Sequence, residues 1–443
     1  MKRISGWGNH PHREADIASF RYEEELQQQL RQLESSSLAR GMGRAYGDSA
    51  TNEQVISTLN FDRIRAFDEE SGVITCEAGL TLDSLLPILI PRGWFVPVTP
   101  GTRFVSIGGM LASDVHGKNH HVDGCFSRHV EAFTLMRGDG EIIECTRQNT
   151  PLLFSATCGG MGLTGIILSV RFRLIRIESA WIDQTTDMAP NLDSVLEKFE
   201  ATSSARYSVA WIDCLARGQS LGRSVLYTGD HANRKLLPRA AKNDPLSLSI
   251  GRTMTVPFHF PAVTLNSFSV RAFNTLYYNK ARWSPAHTVT DLYSFFYPLD
   301  GLQHWNRIYG KPGFLQYQCV IPQAAGCATL RQLLTLISQS GRGSFLAVLK
   351  LLGAESDGLI GFPMPGYTLA LDFPNSKGLE VLLQALDDRV LAAGGRIYLT
   401  KDARMSASMA RDSYPRWDDF RSARQEIPGA LKFSSDQSRR LLL

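Results

Sequence analysis

Short hydrophobic runs and one amphipathic stretch alternate along the first third of the chain. The runs, bounded by glycine or polar residues, predict β-strands at 55–61, 72–77, 94–98, 130–136, 141–145 and 165–175. Leucines at 82, 85, 86 and 89 recur every three or four residues within 81–90, which predicts a helix that ends before Gly93. Because strands and helices mix without the regular βα repeat of a doubly wound sheet, we predict an α+β fold.

The pattern changes near residue 180, where glycine becomes rarer and aromatic residues more frequent. Residues 229–250 are rich in Lys, Arg, Pro, Asn and Ser, and we expect mobile loops near 229–260 and 268–312. The aromatic segment 255–312 is likewise expected to form mobile loops. Apolar positions at 379, 382, 383, 386 and 390 predict an amphipathic helix over 376–395. Asn375 or Ser376 is its expected N-cap, and Gly394-Gly395 ends it.

The composition is that of a globular protein with two domains. Of 443 residues, 43% are hydrophobic and 20% charged, and 47 basic minus 43 acidic residues give a net charge of +4. With no basic stripe, this charge does not indicate nucleic-acid binding. The longest apolar runs, such as 85–90, are far shorter than the roughly 20 residues of a membrane span.

The N-terminus and the cysteines bear on location. Two basic residues near the N-terminus have no apolar run behind them, so we expect no signal peptide. Seven scattered cysteines without a CxxC pair favour free thiols over a disulfide framework. We therefore expect a protein that is cytoplasmic or peripheral at the inner membrane, without a transmembrane helix.

Three glycine-rich segments within about 130 residues are the main chemical feature. Residues 39–48 hold three glycines beside Arg40 and Arg44, residues 99–109 include Gly101, Gly108 and Gly109, and residues 158–167 hold four glycines. Glycine lets backbone N–H groups converge on an anion, although each segment alone is equally compatible with a plain turn. Together the three segments indicate one large ligand that binds between several loops.

A metal site is the alternative for the segment 113–121, which contains His116, His120 and His121. His116 and His120 share a face only if the stretch is helical, which Gly117 and Asn119 disfavour. No acidic residue sits at ligand spacing, so we predict no metal. One or two of these histidines are then expected simply to satisfy backbone groups.

These segments, with Gly-Gly-x-Gly-x-Thr-Gly at 159–165, resemble the FAD-linked oxidase fold of the vanillyl-alcohol-oxidase (PCMH-type) proteins. More narrowly, the chain resembles the decaprenylphosphoryl-ribose 2-oxidase family. The residues that carry this resemblance are 116–121 (His-Gly-Lys-Asn-His-His), 314–318 (Phe-Leu-Gln-Tyr-Gln), 401–404 (Lys-Asp-Ala-Arg) and the Ser-Asp-x-x-Arg-Arg-Leu run from 435. It covers nearly the whole chain.

The resemblance implies a two-domain organisation and a set of cofactor contacts. The FAD-binding domain is expected at 1–179, completed by 396–443, with a substrate domain on an antiparallel sheet inserted at 180–395. The implied cofactor contacts are Ala39, Arg40, Gly41, Met42, Gly43, Arg44, Ala45, Tyr46, Gly47, Asp48, Ser49, Gly101, Ser106, Ile107, Gly108, Gly109, Ser113, Asp114, Val115, His116, Ile167 and Tyr398. Sister families carry a flavin-linked histidine where this chain has Arg44, so non-covalent FAD is implied.

The resemblance also implies the reacting groups. Lys401 is expected at the reacting hydroxyl, with an ordinary ion pair to Asp402 as the alternative. His116 and Lys118 are the next catalytic candidates. The implied substrate-binding residues are Lys118, Gln316, Gln318, Lys350, Thr368 and Lys401. Three positions depart from the family: Ala370 replaces a pocket cysteine, Thr368 an asparagine and Phe296 a tyrosine.

The expected activity is oxidation of the ribose 2-hydroxyl of a polyprenyl-phosphate pentose to the 2-keto sugar. A separate short-chain reductase would complete the conversion to arabinose, and the lipid implies peripheral membrane contact. A soluble FAD-dependent sugar, alditol or aldonolactone oxidase is one alternative, which Lys118 and Lys350 disfavour. A non-catalytic flavin-binding subunit is the other, and the presence of His116, Gln316, Gln318 and Lys401 disfavours it.

Overall fold

The structure is a computed structural model that describes residues 1–33, 35–248, 251, 253–261 and 264–443. Its strands are β1 (Lys2–Ser5), β2 (His12–Ser19), β3 (Leu38–Arg40), β4 (Gln54–Ser57), β5 (Ile64–Asp68), β6 (Val73–Glu77), β7 (Trp94–Phe95), β8 (Val130–Met136), β9 (Ile142–Cys145), β10 (Ile166–Arg173), β11 (Ile175–Arg176), β12 (Trp181–Ala189), β13 (Tyr207–Ile212), β14 (Ser224–His231), β15 (Met254–Thr255), β16 (His287–Asp291), β17 (Leu302–Gln303), β18 (Phe314–Pro322), β19 (Ala347–Leu352), β20 (Gly366–Pro374) and β21 (Arg396–Ile397).

The helices, in the same order along the chain, are α1 (Glu23–Gln32), α2 (Leu82–Leu89), α3 (Ile107–Ala112), α4 (His120–Asp123), α5 (Pro151–Thr157), α6 (Leu192–Ala201), α7 (Arg239–Lys242), α8 (Ser267–Trp283), α9 (Leu292–Phe296), α10 (Gly326–Ser340), α11 (Leu379–Ala392), α12 (Ala407–Ser413), α13 (Trp417–Glu426) and α14 (Asp436–Leu441). No helix in the described part of the chain combines the length and the apolarity needed to cross a membrane.

The strands form three main sheets. A four-stranded sheet of order β1-β2-β4-β3 and a five-stranded sheet of order β5-β6-β10-β8-β9 are built from the first 173 residues. An eight-stranded antiparallel sheet follows, of order β16-β12-β14-β13-β19-β20-β18-β21. Helices and sheets are thus mixed, as the α+β prediction requires, and the largest sheet is antiparallel.

Several local predictions are confirmed. Helix α2 falls within 81–90, and the Thr81 hydroxyl caps it by accepting a hydrogen bond from Ser84 N. Strands β8 and β9 pair antiparallel around the turn at 137–140. Helix α11 buries the expected apolar positions, but its N-cap is Gly378, with φ of 79°, so the expected cap at Asn375 or Ser376 is wrong. The Ser376 hydroxyl instead accepts a hydrogen bond from Arg342.

The first expected loop is largely irregular: after β14 ends at His231, the described residues up to 260 contain only α7 and β15. The second expected loop is wrong over much of its length, because α8 occupies sixteen residues of the segment 268–312. A capping box explains the start of α8, because the Asn266 side chain accepts from Ser269 N while the Ser269 hydroxyl bonds back to Asn266 N. Within the expected loops, Ser249, Ile250, Arg252, Ala262 and Val263 lie outside the described residues.

The C-terminal segment lies against the first sheet. Ser37 forms a parallel bridge with Phe433, and Asp436 N donates to Thr51 O at 2.8 Å. The Arg440 guanidinium holds two buried carboxylates, Asp48 at 2.7 Å and Asp402 at 2.8 Å. One side chain of the last helix therefore joins the first glycine-rich loop to the segment that contains Lys401.

The Arg440 contact should contribute strongly to stability. Replacing one partner of a buried ion pair leaves the other charge without compensation, so Arg440→Met should lower the free energy of unfolding by about 3 kcal/mol. The measurement is the thermal unfolding of the purified holoenzyme. Arg421→Met is the control, because Arg421 is exposed and lies 3.7 Å from Asp418, and it should cost less than about 1 kcal/mol. Equal effects of the two substitutions would contradict the structural role of Arg440.

Candidate active site

The three glycine-rich segments meet at helix α3. A Cβ atom on Gly41 would lie 2.1 Å from Ser106 Oγ, so the first segment packs directly on the residue that caps α3. Gly159 N donates to Leu111 O at 3.0 Å and Met161 N donates to Ala112 O at 2.9 Å, which places the third segment at the other end of this helix. The structure therefore brings together the turns that the sequence separates by more than a hundred residues.

The first loop presents backbone donors rather than charged side chains. Within the described residues, the N–H groups of Met42, Gly43, Arg44 and Ala45 donate to no backbone acceptor. Gly43 has φ of 61°, a conformation that favours glycine and turns successive N–H groups toward one side. A run of such donors is suited to an anionic group.

The charged side chains of this loop already have protein partners. Arg40 donates to the carbonyl oxygens of Ser5, at 2.8 Å, and Ala50, and the Arg44 guanidinium lies 3.9 Å from the Trp7 ring centroid. The Asp48 carboxylate binds Arg440. The Arg40 and Asp48 side chains are therefore held by other parts of the protein, and the backbone N–H groups of residues 42–45 are donors of this loop that can bind an anion.

The second segment leads into a group of rings around His116. The Tyr398 hydroxyl donates to Ser113 O at 2.9 Å, and the Tyr398 ring stacks on Phe362 at 4.5 Å and lies 5.2 Å from the His116 ring. Asp114 has φ of 37°, and its buried carboxylate is bound by Ser127 and Ser356. Asp114 consequently supports the turn, and its carboxylate is not free for a ligand.

The other predicted cofactor contacts differ in exposure. Gly101 and Gly109 are exposed, and a Cβ on Gly101 would meet no atom within 4 Å. The buried members are Gly47, Ser49, Ser106, Ile107, Gly108, Val115 and Ile167. Ala39 lies in β3 and Tyr46 is half-buried, with its ring facing Lys401.

His116 has a defined protonation state. Gln318 Nε2 donates both of its protons, to His116 Nε2 at 3.1 Å and to Thr368 Oγ1 at 3.2 Å. Burial lowers the pKa of His116 well below its ordinary value, and nearby Lys350 acts in the same direction. The ring is therefore neutral, with its proton on Nδ1. This buried Nδ1–H has no protein acceptor among the described residues, so it is available to a ligand.

Lys401 faces the first loop and not Asp402. Its Nζ lies 3.9 Å from the centroid of the Tyr46 ring. The Asp402 carboxylate is buried and binds Arg440, which excludes the Lys401–Asp402 ion pair as the role of this lysine. Burial lowers the pKa of Lys401 to about 7, Asp372 opposes this shift and Lys350 adds to it.

Asp372 is a candidate functional residue that the sequence analysis missed. Its carboxylate, buried on β20, accepts a hydrogen bond from Gln316 Nε2 at 2.6 Å, across the register that pairs Gln316 with Asp372. Burial raises the pKa of Asp372 to about 7, against the opposite effects of Gln316 and Lys401. A sequence signal was present, because Asp372 alternates with Thr368 and Ala370 on one face of an otherwise apolar strand.

Lys118, Lys350 and Lys401 form what we call the lysine cluster. Lys118 Nζ donates to the carbonyl of Phe295 and lies 4.3 Å from the Phe295 ring, and Lys350 is on β19. Burial lowers the pKa of Lys118 to about 7, with a further contribution from Lys350, and lowers the pKa of Lys350 to about 8. Across the described residues, none of the three has a carboxylate within 4.0 Å, so the cluster is suited to an anionic ligand.

The other two histidines have structural roles. His120 Nδ1 accepts from Gly353 N at 3.0 Å, and His121 Nε2 lies 2.9 Å from Ala205 O. This agrees with the expectation that they satisfy backbone groups. Within the residues that the structure describes, no group of three or more His, Cys, Asp or Glu side chains is arranged to hold a metal ion.

Together these residues fit a flavin dinucleotide. The loop at 42–45 offers adjacent backbone donors, the His116 Nδ1–H is a buried donor without a protein acceptor, and the lysine cluster supplies positive charge beside it. Buried donors without partners are costly unless a ligand or water binds them. A large polar cofactor that spans the first loop and His116 would satisfy these groups.

Comparisons with known proteins point to the same chemistry. Residues 17–146 match the model of a FAD binding domain. The chain is 36% identical to decaprenylphosphoryl-β-D-ribose oxidase of Mycolicibacterium smegmatis, an alignment that covers 100% of this chain and 98% of the relative. It is 29% identical to L-gulonolactone oxidase of Mus musculus over 46% of this chain and 44% of that enzyme.

Solved structures share the fold at low sequence identity. A xylooligosaccharide oxidase from Myceliophthora thermophila C1 in complex with xylobiose has a TM-score of 0.66 at 14% identity, covering 95% of this chain and 90% of that one. A BBE-like protein of Physcomitrella patens has a TM-score of 0.64 at 12% identity, covering 94% and 90%. The predicted PCMH-type fold is confirmed.

The contact between the first loop and the Lys401 segment can be tested at Gly47. A Cβ at this position would lie 1.8 Å from the Asp402 carbonyl oxygen, so Gly47→Ala must push the two segments apart. We expect a cost of about 2 kcal/mol, which corresponds to about a 30-fold higher dissociation constant for FAD if the loop holds the cofactor. The dissociation constant is measured by titrating the apoprotein with FAD and following flavin fluorescence.

The matched control is Gly251→Ala, because a Cβ there would meet no atom within 4 Å. This variant should bind FAD as the native protein does. Native FAD affinity in Gly47→Ala would show that the first loop does not hold the cofactor.

Proposed function

The chain belongs to the decaprenylphosphoryl-β-D-ribose oxidase family of FAD-binding oxidoreductases, and from this we propose that it oxidises the ribose 2-hydroxyl of a polyprenylphosphoryl-β-D-ribose. The product would be the 2-keto sugar, the first half of an epimerisation to polyprenylphosphoryl-arabinose. A short-chain dehydrogenase/reductase is the partner that this chemistry requires, because the ketone has to be reduced on the opposite face.

The lysine cluster is the observation that carries this proposal. Lys118 and Lys350 are half-buried, and among the described residues neither has a carboxylate within 4.0 Å. A phosphate between them would hold both amines in the charged form, whereas a neutral sugar or a lactone has no group that would do so. The cluster therefore supports the lipid-linked sugar phosphate over the sugar, alditol or aldonolactone alternatives.

The cofactor is proposed to bind non-covalently in the part of the chain formed by 1–179 and 396–443. Arg44 occupies the position where sister families carry the flavin-linked histidine, and its guanidinium packs on Trp7 and Phe104. Residues 180–395 would form the substrate domain, which contributes Gln316, Gln318, Lys350 and Thr368.

Within this arrangement the residues of the chain have separate tasks. Bound FAD supplies the hydride acceptor for the ribose carbon. Neutral Lys401 Nζ accepts the hydroxyl proton, since burial favours its uncharged form near neutral pH. Lys118 and Lys350 hold the phosphate, while Gln318 fixes the tautomer of His116 so that Nδ1–H faces the cofactor.

The substrate proposal predicts selective flavin reduction. Under anaerobic conditions, farnesylphosphoryl-ribose should bleach the visible absorbance of the purified yellow protein, whereas free ribose, alditols and aldonolactones at equal concentration should not. Lys350→Met should raise KM for the phosphorylated substrate about tenfold or more, because a charge-assisted contact is removed. Bleaching by lactones or alditols but not by the sugar phosphate would show that the protein is a sugar, alditol or aldonolactone oxidase. If the protein binds FAD but none of these compounds bleaches it, the result would support a non-catalytic flavin-binding subunit.

Lys401 should give the reaction a pH dependence with a defined sign. With its pKa lowered to about 7, the amine is protonated below this pH and cannot accept a proton, so the rate of flavin reduction at saturating substrate should rise as pH increases through about 7. Lys401→Ala should retain FAD and lose about a hundredfold or more in turnover. The pH profile of flavin reduction, measured by stopped flow, tests both expectations.

The substitution Asp372→Asn distinguishes the role of Lys401 from that of Asp372. The Asp372 carboxylate raises the pKa of Lys401, so its removal should shift this rise in the rate of flavin reduction to lower pH while turnover persists. Asparagine keeps the size of the side chain. If Asp372 itself accepted the proton, the variant would lose turnover at every pH, and this outcome would contradict the role assigned to Lys401.

A further inference from the structure

Helix α8 exposes apolar side chains that a helix of a globular protein ordinarily buries. Phe268 is 81% exposed, Leu276 73% and Trp283 87%. At about 100° per residue, Phe268, Ala272, Leu276 and Trp283 fall within about 80° of the helix circumference. We call these four residues the α8 stripe. It points away from the protein, opposite the buried positions Val270 and Asn274.

The opposite face anchors α8 firmly to the large sheet. Asn274 Nδ2 donates to the buried Asp213 carboxylate at 2.8 Å, and the Tyr278 hydroxyl donates to Ala189 O at 3.3 Å. Tyr277 packs on Trp211 with ring centroids 4.6 Å apart. The orientation of the helix is thus fixed by its inner face, and exposure of the α8 stripe follows from it.

The charged side chains on α8 and in the sequence that flanks it are all basic. The sequence from 245 to 290 contains four basic residues and no acidic residue. Three of these, Arg271, Lys280 and Arg282, lie on α8, and by helical position they flank the stripe on both sides. Within the described chain, none of the three forms an ion pair. An apolar strip bordered by unpaired cations is the pattern of helices that lie in the plane of a membrane.

Packed aromatic rings connect the middle of α8 with the Tyr46 ring, which contacts Lys401 of the lysine cluster. Phe273 contacts Phe345 at 5.6 Å, Phe345 stacks on Tyr309 at 5.7 Å and Tyr309 stacks on Phe314 at 4.3 Å between ring centroids. Phe314 lies 5.6 Å from Tyr46, whose ring faces Lys401. The exposed helix therefore borders the same part of the molecule as the site.

From these observations we propose that α8 docks the protein on an anionic membrane, with the α8 stripe in the headgroup region and Arg271, Lys280 and Arg282 on the lipid phosphates. The charge favours this occupant over a second copy of the chain, because two copies of the same face would bring like charges together. The proposal goes beyond the oxidation chemistry: binding to a membrane requires neither the substrate nor turnover.

The test is flotation of the holoenzyme with vesicles of phosphatidylcholine alone or with phosphatidylglycerol added. We expect binding to the anionic vesicles that weakens as salt is added. The paired substitution Lys280→Glu/Arg282→Glu should lower the partition coefficient about tenfold or more. Leu276→Ser/Trp283→Ser should also lower it about tenfold, and both variants should reduce their flavin with farnesylphosphoryl-ribose at the native rate.

Val381→Ser/Leu431→Ser is the matched control, because these residues are 76% and 63% exposed outside α8. It should bind anionic vesicles as the native protein does. Absence of native binding to anionic vesicles would overturn the proposal, as would equal loss in the control. A dimer in light scattering that Leu276→Ser/Trp283→Ser dissociates would show that the face binds a second copy instead. Flavin reduction is measured without vesicles, so failure of membrane binding leaves the catalytic proposal standing.

Discussion

The arrangement of the site depends on one guanidinium that neutralises two buried carboxylates from distant parts of the chain. Asp48 belongs to the first glycine-rich loop, Asp402 follows Lys401, and Arg440 lies in the last helix. Two carboxylates at this depth would repel each other and remain poorly solvated without a shared cation. Their common partner brings the loop and the Lys401 segment together, and the Tyr46 ring is then in place to contact Lys401 Nζ. Arg440 therefore helps to hold the first loop against the Lys401 segment, together with the hydrogen bond from Tyr46 N to Thr400 O at 3.0 Å.

The glycine-rich loops could be predicted from the sequence because their features are local, whereas the individual site residues were implied by the family resemblance. Glycine reports a backbone conformation or a close approach directly, and Gly41, Gly43 and Gly47 each meet such a requirement. The residues that depend on pairing between distant segments could not be predicted. Asp372 accepts a hydrogen bond from Gln316 on the neighbouring strand, and Arg40 and Arg44 contact Ser5 O and the Trp7 ring. Composition marks a residue as charged, but only the fold decides which groups that charge contacts.

The difference between local features and contacts with distant segments also explains the incorrect secondary-structure predictions. The segment that contains α8 has few leucines and many aromatic and polar residues, which the hydrophobic pattern favours as loop. The helix nevertheless forms, because Asn266 and Ser269 cap it and because Asn274 and Tyr278 bind polar groups of the large sheet. The face of α8 that contacts the protein therefore includes polar side chains, whereas its exposed face is apolar. This is the reverse of the usual amphipathic helix. In helix α11 the apolar positions were predicted correctly, but the start of the helix was not. Its N-cap is Gly378 in a left-handed conformation, and glycine offers no capping side chain.

The lysines of the cluster are proposed to have different roles, and the charged groups around each lysine explain how identical side chains can differ. Burial lowers the pKa of all three amines, so that near neutral pH a larger fraction of each is uncharged and free to accept a proton. A phosphate held between Lys118 and Lys350 would raise the pKa of both and keep them charged, as binding requires. Lys401 has Asp372 nearby, but at a distance that moderates its pKa without forming an ion pair, since no carboxylate lies within 4.0 Å of it in the described residues. Identical side chains can thus bind an anion at one end of the site and accept a proton at the other, because the charges around each differ.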